Sequence, residues 1–166
     1  MMRRFGLFAI LVLLSACGLH SLYGGGAASP VSGLLRSVEV APIAGQQGWL
    51  VRTKLVDRLG ETGSSTAQYR LDVTLDDNIT SYGLRASQAA TQERRTLRAR
   101  YQLVDLSNGV VVLDDTAGSY ASVDVVSSAY ATVAAEQTAL ENLSGIVADQ
   151  IVARLAIYSA RTTHSK

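Results

Sequence analysis

The sequence is poor in the residues that build metal centres and disulfide frameworks. It contains 1 cysteine and 2 histidines, and the histidines, His20 and His164, lie near opposite ends of the chain. A lone cysteine excludes an intramolecular disulfide, and this content does not supply the ligand spacing of a structural zinc site. We therefore expect the histidines to be solvated terminal residues, and we expect neither a metal nor another cofactor.

The motifs of the common enzyme classes are also missing. The sequence has no Gly-x-Ser-x-Gly, no zinc-binding helix and no Walker loop, and no histidine lies inside the expected folded region. The adjacent acids Asp76 and Asp77, like Asp114 and Asp115, would point to opposite faces of a strand, so neither pair alone forms an acid–base couple. We expect a protein that is not an enzyme.

An excess of charge of one sign is absent. The 15 basic and 14 acidic side chains give a formal net charge of +1, and without Arg3 and Arg4 the 13 remaining basic residues against 14 acidic ones give −1. A nucleic-acid-binding domain normally has a strong basic excess, so nucleic acid is not an expected partner. The 166 residues, 48% of them hydrophobic, are enough for one domain with a buried core.

The N-terminus has the pattern of an export signal. Residues 1–4 read MMRR, and residues 5–14 form an apolar run of signal-peptide length that is too short to span a bilayer. The next segment, LSAC at residues 14–17, resembles the bacterial lipobox, whose cysteine thiol accepts diacylglycerol. The sequence therefore predicts a signal peptide over residues 1–16 and a covalent lipid on Cys17.

The residues after the lipobox indicate how the chain is anchored. Gly18 stands where an aspartate would, by resemblance to enterobacterial sorting rules, retain a lipoprotein in the inner membrane. Residues 17–33 are rich in Gly, Ser and Ala and are predicted to be the lipidated cysteine and a flexible linker. Several acyl chains on Cys17 would make the attachment effectively permanent. The alternative is an ordinary secretory signal with an unrelated cysteine.

Hydrophobic periodicity predicts an α+β domain over residues 34–160, followed by a tail over 161–166. The predicted elements are a strand within 34–43, a helix over 48–60 ending at Gly60 or Gly63, strands that start at Tyr69 and Leu97, a returning strand after Asn108-Gly109, and a helix over 133–160. This order, β-α-β-β-β-α, predicts a two-layer sandwich in which a roughly four-stranded, largely antiparallel sheet carries two helices on one face. Gly118 indicates a bulge or a thin spot in the last strand.

Four basic side chains crowd one predicted strand: Arg94, Arg95, Arg98 and Arg100. By strand alternation all of them except Arg95 share the polar face. A guanidinium group binds phosphate in a bidentate manner, so these residues are the candidate site for an anion such as lipopolysaccharide. Alternatively they are solvated and form surface ion pairs of little energetic value with nearby acids, namely Asp72, Asp76 or Asp115. Arg85, in the polar segment 83–92, is a further candidate contact.

Three segments carry a resemblance to a known family. They are CGLHSLYG at residues 17–24, the hairpin segment RARYQLVD at 98–105, and a C-terminal run from SSAYA at 127–131 to ADQIVARLAIY at 148–158. Together they resemble the lipopolysaccharide-assembly lipoprotein family LptE in its alphaproteobacterial form. The resemblance implies a sheet with two helices on one face. It also implies a lipid-anchored, periplasm-facing outer-membrane protein that plugs the β-barrel LptD and supports lipopolysaccharide insertion.

Two other functions remain open from the residues alone. An auxiliary lipoprotein of an ABC-type lipid-trafficking system would share the lipobox, the size and the α+β build. Such a carrier needs an apolar groove that shelters acyl chains, whereas a barrel plug does not. The third possibility is a lipoprotein enzyme whose site does not follow a known motif.

Overall fold

The structure, a computed structural model, describes residues 30–60, 67–84 and 90–164. The predicted signal peptide, Cys17 and Arg85 lie outside these ranges. The elements, in chain order, are helix α1 (Pro30–Arg36), strand β1 (Val38–Val40), helix α2 (Gly45–Leu59), strand β2 (Tyr69–Leu84), strand β3 (Ala90–Asp105), strand β4 (Val111–Asp124) and helix α3 (Ala129–His164).

The four strands form one sheet in the order β1-β2-β3-β4. Strand β1 is parallel to β2, and Val40 pairs with Leu71 at its end. The other neighbours are antiparallel, so Leu71 pairs with Leu103 of β3 and Leu103 pairs with Leu113 of β4. The predicted fold class, a largely antiparallel sheet with helices on one face, is confirmed.

Helices α2 and α3 pack on one face of this sheet and close a single core. The predicted helical spacing is confirmed in both, since Val51, Leu55 and Leu59 of α2 are buried and α3 buries a longer stripe of the same period. That stripe includes Leu140, Leu143, Val147, Ile151 and Leu155. By length and composition α3 could cross a membrane, but half of its most apolar window is buried inside the protein, as in a core helix.

Two glycines adopt the positive φ that the sequence predicts for a helix end and a hairpin turn. Helix α2 ends at Gly60, which has a φ of 66° and donates its N–H to the carbonyl oxygen of Val56 at 3.1 Å. This left-handed cap is accessible to glycine without the steric cost of a Cβ atom. The turn between β3 and β4 places Gly109 at a φ of 72°, and its N–H binds the carbonyl oxygen of Asp105 at 2.8 Å.

Several boundaries differ from the prediction. Helix α1 starts at Pro30 inside the segment expected to be linker, so the described part of the domain has three helices and not two. Strand β1 has only 3 residues because the chain forms α1 through Arg36 and meets Pro42, which has no N–H to donate, soon after the strand. At the other end, α3 continues to His164, into the expected tail.

The central strands are longer than the sequence indicates. Strands β2 and β3 each have 16 residues and extend into the segment 83–92, which therefore contains the ends of two long strands on either side of residues 85–89. Of the two alternatives predicted at Gly118, a bulge or a thin spot, the bulge is not observed. The register shift lies beside Leu103 and Val104, where Val112 is the additional residue, and Gly118 pairs regularly with Arg98.

Candidate functional site

The alternation of strand β3 divides the four candidate arginines between two environments. Leu97, Ala99, Tyr101 and Leu103 are buried against the helices, and the residues between them are exposed or partly exposed on the other side. We call that other side the open face. Arg94, Arg98 and Arg100 lie on the open face, as predicted, whereas Arg95 lies on the helix side.

Arg95 is occupied by contacts that hold the fold together. Its Nε donates to Oδ1 of Asp77 on β2 at 2.9 Å, and its Nη1 donates to the main-chain oxygen of Glu136 on α3 at 2.9 Å. Both side chains of the Arg95–Asp77 pair are only 13% exposed. The hydrogen bond to Asp77 raises the pKa of Arg95 above its ordinary value, although burial partly opposes this. Arg95 therefore joins β2, β3 and α3, and its guanidinium does not belong to the group on the open face.

Arg100 forms a surface ion pair, which was the alternative prediction for the arginine group. Its partner is an acid that was not expected. Its Nη2 lies 2.9 Å from Oδ2 of Asp114 on β4, and Gln102 donates to the same oxygen at 2.9 Å. These two donors hold the pKa of Asp114 below its ordinary value. Of the three acids expected as partners, Asp72 pairs with Arg70, Asp115 pairs with Arg154, and Asp76 forms no ion pair among the described residues. The Arg100–Asp114 pair is exposed to water and so contributes little to stability.

Arg94 lies between two aromatic rings on the open face. Its guanidinium carbon is 5.3 Å from the ring centre of Tyr82 on β2 and 4.9 Å from that of Tyr120 on β4. The hydroxyl of Tyr82 also donates to Oγ of Ser122 at 2.9 Å, which ties one ring to the far strand. Cation–π contacts fix the guanidinium plane without consuming its hydrogen-bond donors, so Arg94 is held in place with its N–H groups available.

Arg98 lies at the centre of an open groove of about 830 Å³ on the same face. It pairs with Asp76 on one side and with Gly118 on the other. A Cβ atom at Gly118 would come 3.3 Å from Cγ of Arg98 and 3.2 Å from the carbonyl oxygen of Leu97, so glycine leaves room for the arginine stem. Within the described ranges, neither Arg98 nor Arg94 forms an ion pair with a carboxylate.

The groove lining combines polar and charged side chains with apolar groups such as Leu75 and Ala117. The residues around Arg98 are mainly threonine, asparagine, aspartate, serine and arginine, with Tyr120 at one side; they include Thr74, Asp76, Asn78, Thr96, Thr116 and Ser119. Such a surface suits a hydrated anion and does not suit an acyl chain. No group of three or more metal-ligating side chains occurs in the portion of the chain that is described.

Two carboxyls meet beside Arg95, where α3 packs on the end of the sheet. Oε1 of Glu93 accepts a hydrogen bond from the hydroxyl of Ser81 at 3.1 Å, while Oε2 is buried and without a donor among the described residues. Burial, and then the neighbouring carboxyl of Glu93, raise the pKa of Glu136, and the charge of Arg95 only partly opposes this. A proton on Glu136 relieves both the burial of charge and the repulsion.

Two features that shape this face were not predicted from the sequence. Tyr82 reaches Arg94 only because of the β2–β3 register, which depends on where the hairpin between the strands turns. Gly118 was predicted to mark a bulge or a thin spot, but its role beneath the stem of Arg98 was not predicted. The sequence shows that position 118 has no side chain. The reason for it, room for the stem of Arg98 on the neighbouring strand, is visible only in the structure.

Comparison with known proteins gives consistent matches. A family model described as LptE, lipopolysaccharide-assembly, matches residues 35–155. The crystal structure of a Caulobacter crescentus protein described as a lipoprotein is similar to this chain at 27% identity with a TM-score of 0.64, covering 78% of this chain and 96% of that one. Among curated proteins, none matches the sequence significantly.

Two more distant structures share the fold. Rare lipoprotein B from Shewanella oneidensis is 12% identical with a TM-score of 0.60, and 76% of this chain and 98% of that chain are covered. Lipoprotein B from Nitrosomonas europaea is also 12% identical, with a TM-score of 0.57 and coverage of 75% and 88%. At such identity the likeness concerns the architecture alone.

The contrast between Arg95 and Arg100 gives a test of the two interpretations of the arginine group. Arg95→Met leaves the carboxylate of Asp77 largely buried without its cation, so we expect the free energy of unfolding in urea to fall by about 2–4 kcal/mol. Arg100→Met is the matched control, and it should change the unfolding free energy far less because Asp114 is exposed. Equal losses in the two variants would contradict the structural role of Arg95.

The raised pKa of Glu136 predicts how stability depends on pH. A carboxyl whose pKa is higher in the folded state binds its proton more tightly there, so its effect is most favourable below the ordinary carboxyl pKa and is lost as the pH rises through the raised value. Glu136→Gln removes this titration, and we expect a higher unfolding free energy at neutral pH and a flatter profile between about pH 4 and pH 8. Glu141→Gln, an exposed site on the same helix, is the control. A profile for Glu136→Gln as steep as that of the unmodified protein would refute the assignment.

Proposed function

Because the chain belongs to the LptE family of lipopolysaccharide-assembly proteins, we propose that it occupies the lumen of an LptD β-barrel in the outer membrane and supports insertion of lipopolysaccharide into the outer leaflet. The family is one of non-enzymatic lipoproteins of the cell envelope, and it works without a cofactor. Assembly and binding, rather than catalysis, are therefore the activities to explain.

A domain that fits inside a barrel has to combine a closed apolar core with a hydrated exterior, since the barrel interior is polar and wet. Here the helices cover one side of the sheet and bury its apolar residues. The open face presents alternating polar residues along three strands instead of a second apolar layer. This two-sided arrangement supports a plug, because it leaves a polar sheet surface for contact with water and with polar groups of the barrel.

The observation that carries the ligand part of the proposal is a pair of arginines on the open face that form no ion pair with any carboxylate of the described residues. Arg94 is oriented by Tyr82 and Tyr120, and Arg98 lies over Gly118. Lipid A carries phosphate groups, for which guanidinium groups are geometrically suited. We assign these two arginines to the phosphates. Arg100 takes a secondary part because Asp114 already partly neutralises it, and Arg95 takes no part.

The anchor is the second component of the proposal. Cys17, after the lipobox-like LSAC segment, carries the covalent lipid that holds the protein at the outer membrane, and the folded domain faces the periplasm and the barrel. The groove around Arg98 is lined by polar and apolar groups in equal share, whereas acyl chains need a predominantly apolar shelter, which counts against the alternative of a lipid-trafficking carrier.

Copurification tests the barrel partner. The tagged full chain, isolated from outer membranes in mild detergent, is expected to bring a large β-barrel protein in near-stoichiometric amount, identified by mass spectrometry, and its mature N-terminus should have the mass of an acylated Cys17. A Cys17→Ala variant, which lacks the acceptor thiol, is the control for lipid attachment and should lose the acyl mass. Recovery of an ABC transporter without a barrel would favour lipid trafficking and refute the plug.

Binding of purified lipopolysaccharide tests the arginines. Arg94→Ala and Arg98→Ala should each weaken the affinity by roughly tenfold, the effect of losing one charge-assisted hydrogen bond. Arg70→Ala is the matched control because Arg70 lies on the same face but is fixed by Asp72, with Nε 2.9 Å from Oδ1 and Nη2 3.0 Å from Oδ2. An equal loss in all three variants, measured by titration at constant ionic strength, would indicate general charge attraction and not a site.

A further inference from the structure

Strand β2 has an unpaired edge along most of its length. Strand β1 covers only its first three residues, from Tyr69 to Leu71, although β2 continues to Leu84. The N–H of Ala41 still reaches the carbonyl oxygen of Leu71 at 3.1 Å, and Pro42 follows with no N–H to donate. In the part of the chain that the structure describes, no other strand pairs with β2 on this side beyond that point.

The backbone groups along this edge can be assigned from the pairing that is present. The N–H of Tyr69 donates to Ser37 at 3.1 Å and the carbonyl of Leu71 accepts from Ala41, so both residues direct their main-chain groups outward. Main-chain direction alternates along a strand, so every second residue after Leu71 repeats this orientation. Val73, Leu75, Asp77 and Ile79 therefore present their N–H and C=O groups at the free edge: we call residues 73–79 the β2 edge.

At the opposite edge of the sheet, side chains bind exposed main-chain N–H groups of β4. On β4, the N–H of Gly118 donates to Oε1 of Gln150 from α3 at 3.0 Å, and the N–H of Thr116 donates to Oδ1 of Asp115 at 2.8 Å. Asp115 is itself held by Arg154 of α3. Side chains thus occupy N–H groups of the β4 edge, whereas no such contact is present at the β2 edge among the described residues.

A long, uncovered strand edge is a template for pairing with another chain, and native proteins generally cover or interrupt it. We propose that the β2 edge receives an extended segment of a partner protein as an additional strand of the sheet. The main-chain hydrogen bonds would supply affinity, and the alternating side chains of β2 would supply selectivity, as in other cases of strand addition.

The side chains beside the edge define the chemistry of that segment. On the helix side, Val73 and Leu75 are half-buried and Ile79 is 42% exposed, so apolar partner residues would extend the core. On the open face, Asp76 has no ion pair among the described residues and lies in the middle of the stretch. The matching segment is therefore apolar at alternate positions with a lysine or arginine facing Asp76.

A second copy of this chain fits the edge less well. Antiparallel pairing of two β2 edges around their middle would set the Asp76 carboxylates of the two copies opposite each other, and like charges across strands are unfavourable. The strands of a closed barrel wall are paired on both sides and have no free edge to offer. If the partner is the proposed barrel, the added strand must come from a terminus or a loop. The inference itself does not depend on the partner being a barrel.

The test uses the full chain in detergent micelles and a short synthetic peptide that alternates valine and threonine with a central lysine. Amide hydrogen exchange is measured by nuclear magnetic resonance. Peptide binding should slow exchange at Val73, Leu75, Asp77 and Ile79 by roughly tenfold or more, as expected for newly hydrogen-bonded amides, while the amides of the β4 edge stay unchanged. A peptide N-methylated on the side that faces β2 should not bind.

Two substitutions probe the edge and its charge. Ile79→Pro removes one outward N–H without removing a β2–β3 hydrogen bond and should weaken peptide binding by about tenfold, whereas Ile79→Thr retains the N–H and should bind normally. Asp76→Lys should reverse the preference from the lysine peptide to one with central glutamate. Equal binding of the N-methylated peptide, protection of the β4 amides to the same extent, or β2 amides already protected in the free chain by another segment or a second copy would each overturn the inference.

Discussion

Strand β3 is the element on which the other parts of the structure depend, because it has to satisfy two environments at once. It is hydrogen-bonded on both edges, and its side chains alternate between the apolar core and the open face. Leu97, Ala99, Tyr101 and Leu103 fill the space under the helices. A slip of one residue would exchange these four for arginines and polar residues, so the register is fixed by the cost of burying charge.

That constraint explains why the basic residues of one strand have such different surroundings. Arg95 is the one arginine of the group on the helix side, and it is tolerated there because Asp77 and a main-chain oxygen of α3 take up its donors. The arginines on the open face are exposed to water and need no such compensation. Arg94 and Arg98 are therefore available to an external anion. Neighbours in sequence thus have a structural role in one case and the proposed binding role in the other.

The sequence specifies the alternating strands and the amphipathic helices well, because burial of one face imposes a period that can be read directly. The long helix was predicted on this basis, whereas the Asn108-Gly109 turn was predicted from the positive-φ residues that a tight hairpin needs. Helix α1 was not predicted, since a few residues carry too little periodicity to distinguish a helical turn from a strand, and the strand predicted within 34–43 is present but has only 3 residues. The ring pair around Arg94, and the room that Gly118 leaves for Arg98, depend on cross-strand register, which hydrophobic pattern alone does not give.

The short pairing of β1 also determines which part of the domain opens first under tension. Any tension that enters the domain from the N-terminal side reaches α1 and then a ladder of only three paired residues, whereas β2, β3 and β4 are joined along ladders several times longer. Segments with few interactions open at the lowest free energy. Under tension the domain would therefore release β1 first, which lengthens the N-terminal connection. The three-stranded antiparallel sheet and its arginines would keep their structure.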